Sequence, residues 1–179
     1  MQEIILPDEP KPALEWVNNR VLPKVSPQRK HSLAQGRFCS ALDAWAAQGR
    51  FGTVGPEWRF LVQPPGEIGR TLVPDVAYLS FERMPFEEQA DSALPRVAPD
   101  AVVEVKSPED ARKDIDEKTR VYLAGGTGVV FVVDPWKRSV TVRDRSGDRV
   151  VCDTDDVTHA SLPGFRMPAC VLFDPIRPR

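Results

Sequence analysis

The segment Ala101-Val102-Val103-Glu104-Val105-Lys106 decides the fold of this chain. Its valine content predicts a β-strand, and side chains alternate between the two faces of a strand. Glu104 and Lys106 are therefore expected on one face, opposite Val103 and Val105. Because an unpaired buried charge is costly, an apolar strand with these two charges needs a salt bridge or a functional ion beside it.

The residues that follow predict a helix and then a second buried strand. Ser107-Pro108-Glu109-Asp110 is typical of a helix start, with Ser107 as the cap, and Gly125-Gly126 should end the helix at about Ala124. The apolar run from Val129 to Val133 is typical of a strand covered on both faces. Strand, helix and buried strand form a βαβ unit, whose crossover is right-handed and whose strands are parallel.

The rest of the chain predicts further elements around this unit. A helix is expected from about Pro27 to about Gln48, with Ser26 as its cap. Two further strands are predicted at Trp58 to Gln63 and Val73 to Leu79, and a hairpin pair at Ser139 to Arg143 with Arg149 to Cys152. The stretch from Phe81 to Ala98 is expected to be a surface excursion. Residues 1–179 should form one α/β domain, in which helices flank a mixed β-sheet that ends in a C-terminal hairpin.

The charge of the chain is close to neutral overall but uneven along the sequence. The formal net charge is −2, which gives no global attraction to nucleic acid. Residues 11–50 are locally basic, with seven basic and two acidic side chains: Lys11, Arg20, Lys24, Arg29, Lys30, Arg37 and Arg50 against Glu15 and Asp43. This stretch could bind the phosphate backbone of a nucleic acid, or it could simply form a solvated helix face.

The cysteines and the apolar runs exclude several classes of protein. The three cysteines, Cys39, Cys152 and Cys170, have neither the pairing nor the spacing of a disulfide framework or a zinc site. Met1 to Pro10 carries acids and prolines, which argues against a signal peptide, and Val129 to Val133 is too short to span a membrane. The sequence therefore predicts a cytoplasmic protein without a membrane partner.

A second carboxylate accompanies Glu104. Asp75 follows Pro74 at the opening of another apolar strand, Val73 to Leu79. If the two strands are neighbours, both carboxylates converge on one site that suits a hard divalent cation. Mg²⁺ is usually held by one or two carboxylates together with waters and a substrate phosphate, and the carbonyl of Val105 is a natural further ligand.

The spacing of these residues resembles a known signature. Pro74-Asp75, followed after an interval by Glu104-Val105-Lys106, resembles the PD-(D/E)XK motif of restriction-endonuclease-like nucleases. The chain from about Leu14 to about Phe173 further resembles the Uma group of that superfamily. The matching pieces are His31, Pro74-Asp75, Val103 to Pro108, Asp114, Lys118, Tyr122, Val130 to Pro135, and Leu162 to Phe165.

The resemblance implies metal-dependent hydrolysis of phosphodiester bonds in DNA. Asp75, Glu104 and the Val105 carbonyl would hold Mg²⁺ or Mn²⁺, and Lys106 would orient a water or stabilise the transition state. Many similar proteins have an apolar residue in place of the strand lysine and are thought to use a helix lysine, so Lys118 is a second candidate. Removing Lys106 is expected to harm turnover more than removing Lys118.

Three further residues could support this site, and each has a plainer interpretation. They are His31, whose place on the apolar stripe of the first helix favours a core histidine, and Asp114 and Tyr122, which lie on one helix face with Lys118. Asp114 and Lys118 alone could form an ordinary surface ion pair. Likewise, Asp75, Glu104 and Lys106 could form a structural salt bridge.

A competing hypothesis is a catalytically idle nuclease fold that binds nucleic acid or protein, since a fold does not establish an activity. The intact charged residues favour the enzyme, whereas the low overall basicity favours the binding module. A homodimer is expected for either, because two-fold oligomers are the commonest and cutting a duplex suits two sites.

Overall fold

A computed structural model describes residues 3–5, 14–23 and 28–173. Its helices are α1 (Arg29–Gly49), α2 (Phe86–Asp91), α3 (Arg112–Gly125) and α4 (Cys170–Phe173). Its strands are β1 (Glu3–Ile4), β2 (Leu14–Val17), β3 (Arg20–Pro23), β4 (Gly52–Pro56), β5 (Phe60–Val62), β6 (Gly69–Leu72), β7 (Val76–Ser80), β8 (Ala101–Val105), β9 (Val129–Asp134), β10 (Ser139–Asp144), β11 (Gly147–Cys152), β12 (Asp156–Val157) and β13 (Met167–Pro168).

The main sheet is mixed and has six strands in the order β11-β10-β9-β8-β7-β4. The central pair β8 and β9 is parallel and is connected by α3, as the βαβ pattern predicted. The other pairs are antiparallel, including the predicted hairpin of β10 and β11. The sheet therefore has the mixed α/β architecture that the sequence indicated.

Two apolar layers cover the two faces of this sheet. Val103 and Val105 of β8 pack in the layer that includes Phe38 of α1. Val102 of the same strand packs in the other layer, with Val121 of α3. The alternation along one strand thus assigns its residues to different helices, and Glu104 follows Val102 onto the α3 face.

Smaller sheets lie beside the main one. The hairpin of β2 and β3 is antiparallel, and β2 contacts both α3 and β6. A three-stranded sheet has the order β1-β6-β5. The contact with α3 brings Glu15, near the start of the chain, to the end of the main sheet that carries Asp75 and Glu104.

Several predicted boundaries differ from the observed ones. Helix α1 has Gln28 at its N-cap, and the predicted cap Ser26 lies outside the described residues, as does Pro27. The N-cap of helix α3 is Ala111, four residues later than expected, so the prediction that Ser107 caps it was wrong. Instead, the backbone N–H of Ser107 donates a hydrogen bond of 2.6 Å to the carboxylate of Asp110, which closes a tight turn before the helix.

The remaining differences concern strands and loops. Strand β4 was not predicted, because Gly52, Gly55 and Pro56 disfavour a strand on propensity alone. The strand predicted at Trp58 to Gln63 is limited to β5. The predicted surface excursion contains α2, which is anchored where the buried Gln89 side chain donates hydrogen bonds to three backbone carbonyls.

The two tyrosines of the chain give a prediction about pH. Burial, followed by the charges of Asp100 and Glu82, raises the pKa of Tyr78 to about 12. Burial, followed by the charges of Glu104 and Glu15, raises the pKa of Tyr122 well above its ordinary value. An unfolded tyrosine titrates near pH ~10. Above that pH the unfolded chain holds fewer protons than the folded one, so stability should fall as pH rises.

Phenolate absorbance should therefore appear near pH ~10 in concentrated urea but only at higher pH in native buffer, together with loss of the circular dichroism signal. Tyr78→Phe and Tyr122→Phe should each remove about half of the absorbance change. A native titration centred near the ordinary tyrosine pKa would contradict the burial of both side chains.

Candidate active site

A cleft of about 390 Å³ opens where β7 and β8 meet α3 and the β2–β3 hairpin. Its wall includes side chains from five separate parts of the chain. Those on which the chemistry of the cleft depends are Glu15, His31, Asp75, Glu104, Val105 and Lys118.

Asp75 and Glu104 are brought together by the pairing of β7 with β8. Val76 pairs with Val103 in this antiparallel ladder, and continuing the register by one residue sets Asp75 opposite Glu104. The Asp75 carboxylate accepts a hydrogen bond of 2.6 Å from the backbone N–H of Val105. Both acids are buried, with 5% and 6% of their surface exposed.

The Val105 backbone faces the same place. The N–H and C=O of one strand residue point to the same side of the strand. Since the Val105 N–H donates to Asp75, the Val105 carbonyl lies on the Asp75 side as well. The three groups predicted as metal ligands therefore face one end of the cleft.

Lys118 supplies the buried positive charge of the cleft. Its Nζ lies 2.6 Å from Glu104 Oε2 and 3.0 Å from Glu15 Oε1, and only 7% of the residue is exposed. Burial by itself would lower the pKa of Lys118, but the carboxylates of Glu104, Glu15 and Asp75 outweigh that effect and raise it. Lys118 therefore stays an ammonium at neutral pH and cannot act as a base.

Glu15 was missed as a site residue and was counted only among the charges of the basic N-terminal stretch. It is 6% exposed, and besides Lys118 it accepts a hydrogen bond of 2.9 Å from the Val73 backbone N–H. The signal for it was the one used for Glu104, an acid inside an apolar strand. Only tertiary structure brings β2 to α3, so its position could not be read from the sequence.

The buried charges of this cluster do not balance. With the three carboxylates ionised, Glu15, Asp75 and Glu104 contribute −3 and Lys118 contributes +1, so the cluster of four carries a net charge of −2. Like charges that share a buried site repel one another. The cluster is therefore suited to accept a divalent cation.

Lys106 does not join this cluster. The strand ends at Val105, and the Lys106 ammonium lies 3.4 Å from Asp134 Oδ2 at the end of the neighbouring strand β9. Its side chain is 34% exposed and does not line the cleft. The alternation along β8 ends at Val105, so it does not govern Lys106, which instead pairs with the acid at the end of β9.

The three residues predicted to support the site differ in their positions. His31 Nε2 lies 3.4 Å from Asp75 Oδ2, and its buried Nδ1 has no hydrogen-bond partner among the described residues. Asp114 lines the cleft but bonds to Asn18 and Arg20 rather than to Lys118. Tyr122 is buried beneath the cleft with the acids nearby. Because Asp114 pairs with Arg20 and Lys118 is buried against Glu104, the interpretation of Asp114 and Lys118 as a simple surface pair is wrong.

The donor atoms of the cleft fit a hard cation in type. Carboxylate and carbonyl oxygens are the ligands of Mg²⁺, which keeps several waters and needs only one or two protein carboxylates. Within residues 3–5, 14–23 and 28–173, no group of three or more His, Cys, Asp or Glu side chains is placed to hold a metal by itself. The cleft therefore offers a partial set of ligands rather than a closed cage.

The chain is similar to known proteins in both sequence and fold. A family model described as "Uma2: Putative restriction endonuclease" matches residues 2–169. The fold is similar to the crystal structure of a putative nuclease belonging to DUF820 from Anabaena variabilis. That likeness has a TM-score of 0.81 and 25% sequence identity, and it covers 94% of this chain and 93% of that chain.

No curated protein matches the sequence. In the described part of the chain, none of the helices is both long enough and apolar enough to cross a membrane.

Proposed function

Because the chain belongs to the Uma2 family of putative restriction endonucleases, we propose that it is a nuclease that uses Mg²⁺ or Mn²⁺ to hydrolyse phosphodiester bonds of DNA. Its fold is restriction-endonuclease-like, in agreement with the resemblance seen in the sequence. One observation supports a catalytic role: Asp75 and Glu104 lie buried at the ends of paired strands, beside a lysine that stays charged.

Each residue has a distinct part in this proposal. Asp75, Glu104 and the Val105 carbonyl would hold the cation, which when bound polarises the phosphate and favours ionisation of a water. The Val105 N–H fixes the Asp75 carboxylate in position. Glu15 pairs with the Lys118 ammonium together with Glu104 and so acts as a positioning residue.

We propose that Lys118, rather than Lys106, serves the reaction. A buried ammonium beside the acids can stabilise the negative charge that develops on the phosphate oxygens, and such preorganised charge is often the largest catalytic contribution. Lys118 is buried against Glu104, whereas Lys106 is tied to Asp134 outside the cleft. This reverses the ranking of the two lysines expected from the sequence.

The proposal predicts metal-dependent cleavage that requires Asp75. Wild-type protein should cut circular duplex DNA with Mg²⁺ or Mn²⁺ and should not cut it in EDTA. Asp75→Asn keeps the shape and an oxygen acceptor for the Val105 N–H but removes the charge. We expect its cleavage rate to fall by roughly 10²–10³-fold, the loss typical when one key electrostatic group is removed.

Lys106→Ala is the matched control and should keep most of the wild-type rate. Gel analysis of nicked and linear products measures all three proteins. Loss of activity in Lys106→Ala with an active Asp75→Asn would refute the assignment. If wild type binds metal and DNA but cuts nothing, the idle binding module is the better description, as the acidic net charge of the chain would favour.

A further inference from the structure

A second groove, of about 260 Å³, opens near the N-terminal end of α1. Its wall includes Arg29, Lys30, Pro135, Trp136, Arg138 and Phe173. Three of these residues are basic, and no acidic residue from the described part of the chain lines the groove. We call this the basic groove.

The basic groove lies one strand away from the cleft. Val105, which lines the cleft, pairs with Val133 in the parallel ladder of β8 and β9. Pro135 and Trp136 follow the end of β9. Adjacent strands are ~4.8 Å apart, so both depressions open at the same end of the sheet. On α1, Lys30 of the groove directly precedes His31 of the cleft.

Trp136 is one of three exposed aromatic residues in the described part of the chain, with Phe51 and Phe86, and it is the one that lines the basic groove. It is 39% exposed, although the turn that carries it is fixed: Asp134 Oδ1 accepts hydrogen bonds of 3.2 Å and 2.9 Å from the N–H groups of Trp136 and Lys137. Lys30 Nζ lies 5.9 Å from the centre of the ring. That distance is at the limit of a cation–π contact, so a ligand could displace the ammonium at little cost.

Helix stability does not explain the position of the two basic residues of α1. Arg29 and Lys30 occupy its first turn, which has no acidic residue. Positive side chains are disfavoured there because the helix dipole is also positive at that end. Both residues are exposed and belong to the basic stretch 11–50, for which phosphate contact was one of two interpretations.

Arg138 is already paired with Asp153 at 2.6 Å and lies over the ring of Phe173. It therefore builds the wall of the groove, and Arg29 and Lys30 are the better partners for an incoming phosphate.

The cleft and the groove complement each other in charge. The cleft is lined by seven acidic residues and by only two permanently basic ones: Glu15, Glu57, Asp75, Glu104, Glu109, Asp110 and Asp114 against Arg20 and Lys118. Such a cleft repels a polyanion unless an attractive surface lies next to it. The basic groove provides that attraction together with an aromatic face.

We propose that the basic groove binds a single-stranded segment of DNA, with one base stacked on Trp136 and the adjoining phosphates on Arg29 and Lys30. This inference rests on the proposed function, because it gives the groove the task of holding a strand beside the cleft. An exposed aromatic ring flanked by basic side chains is the usual means of binding unpaired nucleotides without sequence preference. Bases inside a duplex are already stacked and would not use the ring.

The test is an anisotropy titration of labelled oligothymidylate with the full chain in EDTA, where no cleavage occurs. Trp136→Ala should weaken binding about tenfold, within the range measured for base–aromatic contacts. Trp136→Phe, which keeps an aromatic face, should recover most of the loss. Lys30→Ala should reduce the slope of log K against log salt by about 0.7, the value for one phosphate of a single strand.

Two controls isolate stacking from folding and from general charge. Phe86→Ala removes an aromatic side chain that is 58% exposed on α2, and Arg149→Ala removes an exposed basic residue of β11; neither should change binding. An abasic oligomer should bind wild type and Trp136→Ala equally, because it has no base to stack.

The inference is overturned if Trp136→Ala binds oligothymidylate as wild type does, if its defect persists with the abasic oligomer, or if wild type does not bind the strand. A lower melting temperature for Trp136→Ala with unchanged binding would make the ring a structural clamp for Lys30. The proposed function fails in a different way, when metal-loaded wild type cuts no DNA although this binding pattern holds.

Discussion

Lys118→Ala is expected to lower the free energy of unfolding by roughly 3–5 kcal/mol in metal-free buffer at neutral pH, as happens when one partner of a buried ion pair is removed. The substitution leaves Glu15, Asp75 and Glu104 without their shared ammonium. The net charge of the cluster of four then changes from −2 to −3. Urea unfolding, followed by circular dichroism, measures the loss.

Lys106→Ala is the matched comparison, since it also removes a paired lysine, although Lys106 pairs with one carboxylate and Lys118 with two. Lys106 Nζ lies 3.4 Å from Asp134 Oδ2, and the lysine side chain is 34% exposed. The free energy of unfolding of Lys106→Ala should therefore fall by only roughly 0–1 kcal/mol, as for other exposed ion pairs. Equal losses for the two lysines would contradict the central position of Lys118. Millimolar Mg²⁺ should restore part of the stability of Lys118→Ala, because a divalent cation can replace the missing charge.

Glu104→Gln is expected to abolish the stabilisation of the protein by Mg²⁺ or Mn²⁺. A ligand that binds only the folded state at about a hundred times its Kd stabilises it by about 2.7 kcal/mol. For a chain of this size such a change corresponds to a rise in melting temperature of roughly 5–10 °C. The variant should show almost none of this rise, because its side chain no longer supplies a charged ligand.

The metal-free Glu104→Gln protein should nevertheless stay folded. Glutamine keeps the shape of the side chain, and the change reduces the repulsion among three buried acids. Glu109→Gln is the control, since Glu109 lines the same cleft but is exposed at its rim. It should keep the full metal response in a thermal melt. A metal shift of equal size in wild type and Glu104→Gln would place the cation elsewhere.

The sequence was informative where local rules and tertiary structure agree. Asp75 and Glu104 could be predicted as neighbours because Asp75 opens one apolar strand and Glu104 lies within another, and the structure pairs those strands. The crossover from β8 through α3 to β9 was predictable because the valine runs and the glycine stop are strong signals. The wrong cap of α3 shows the limit, since Ser107 and Asp110 satisfy a capping pattern but form a turn of their own.

The partners of the lysines could not be predicted in the same way. Lys106 has Asp134 as its partner only because β9 lies next to β8 in parallel register. Lys118 meets Glu15 only because the β2–β3 hairpin folds back onto α3, across 103 positions of sequence. Long-range contacts of this kind depend on the assembled fold, so periodicity gives the face of a residue but not its partner.

The wide separation of the cluster residues along the chain has a consequence for its cooperativity. Glu15, Glu104 and Lys118 belong to β2, β8 and α3, and Asp75 directly precedes β7. The cluster is therefore assembled only when the β2–β3 hairpin, the sheet and α3 are all in place. A partly folded intermediate with the β8–α3–β9 unit alone would contain one acid and one lysine in a neutral pair. The surplus of negative charge would therefore be absent from such an intermediate and would arise only once the β2–β3 hairpin and β7 have joined the unit.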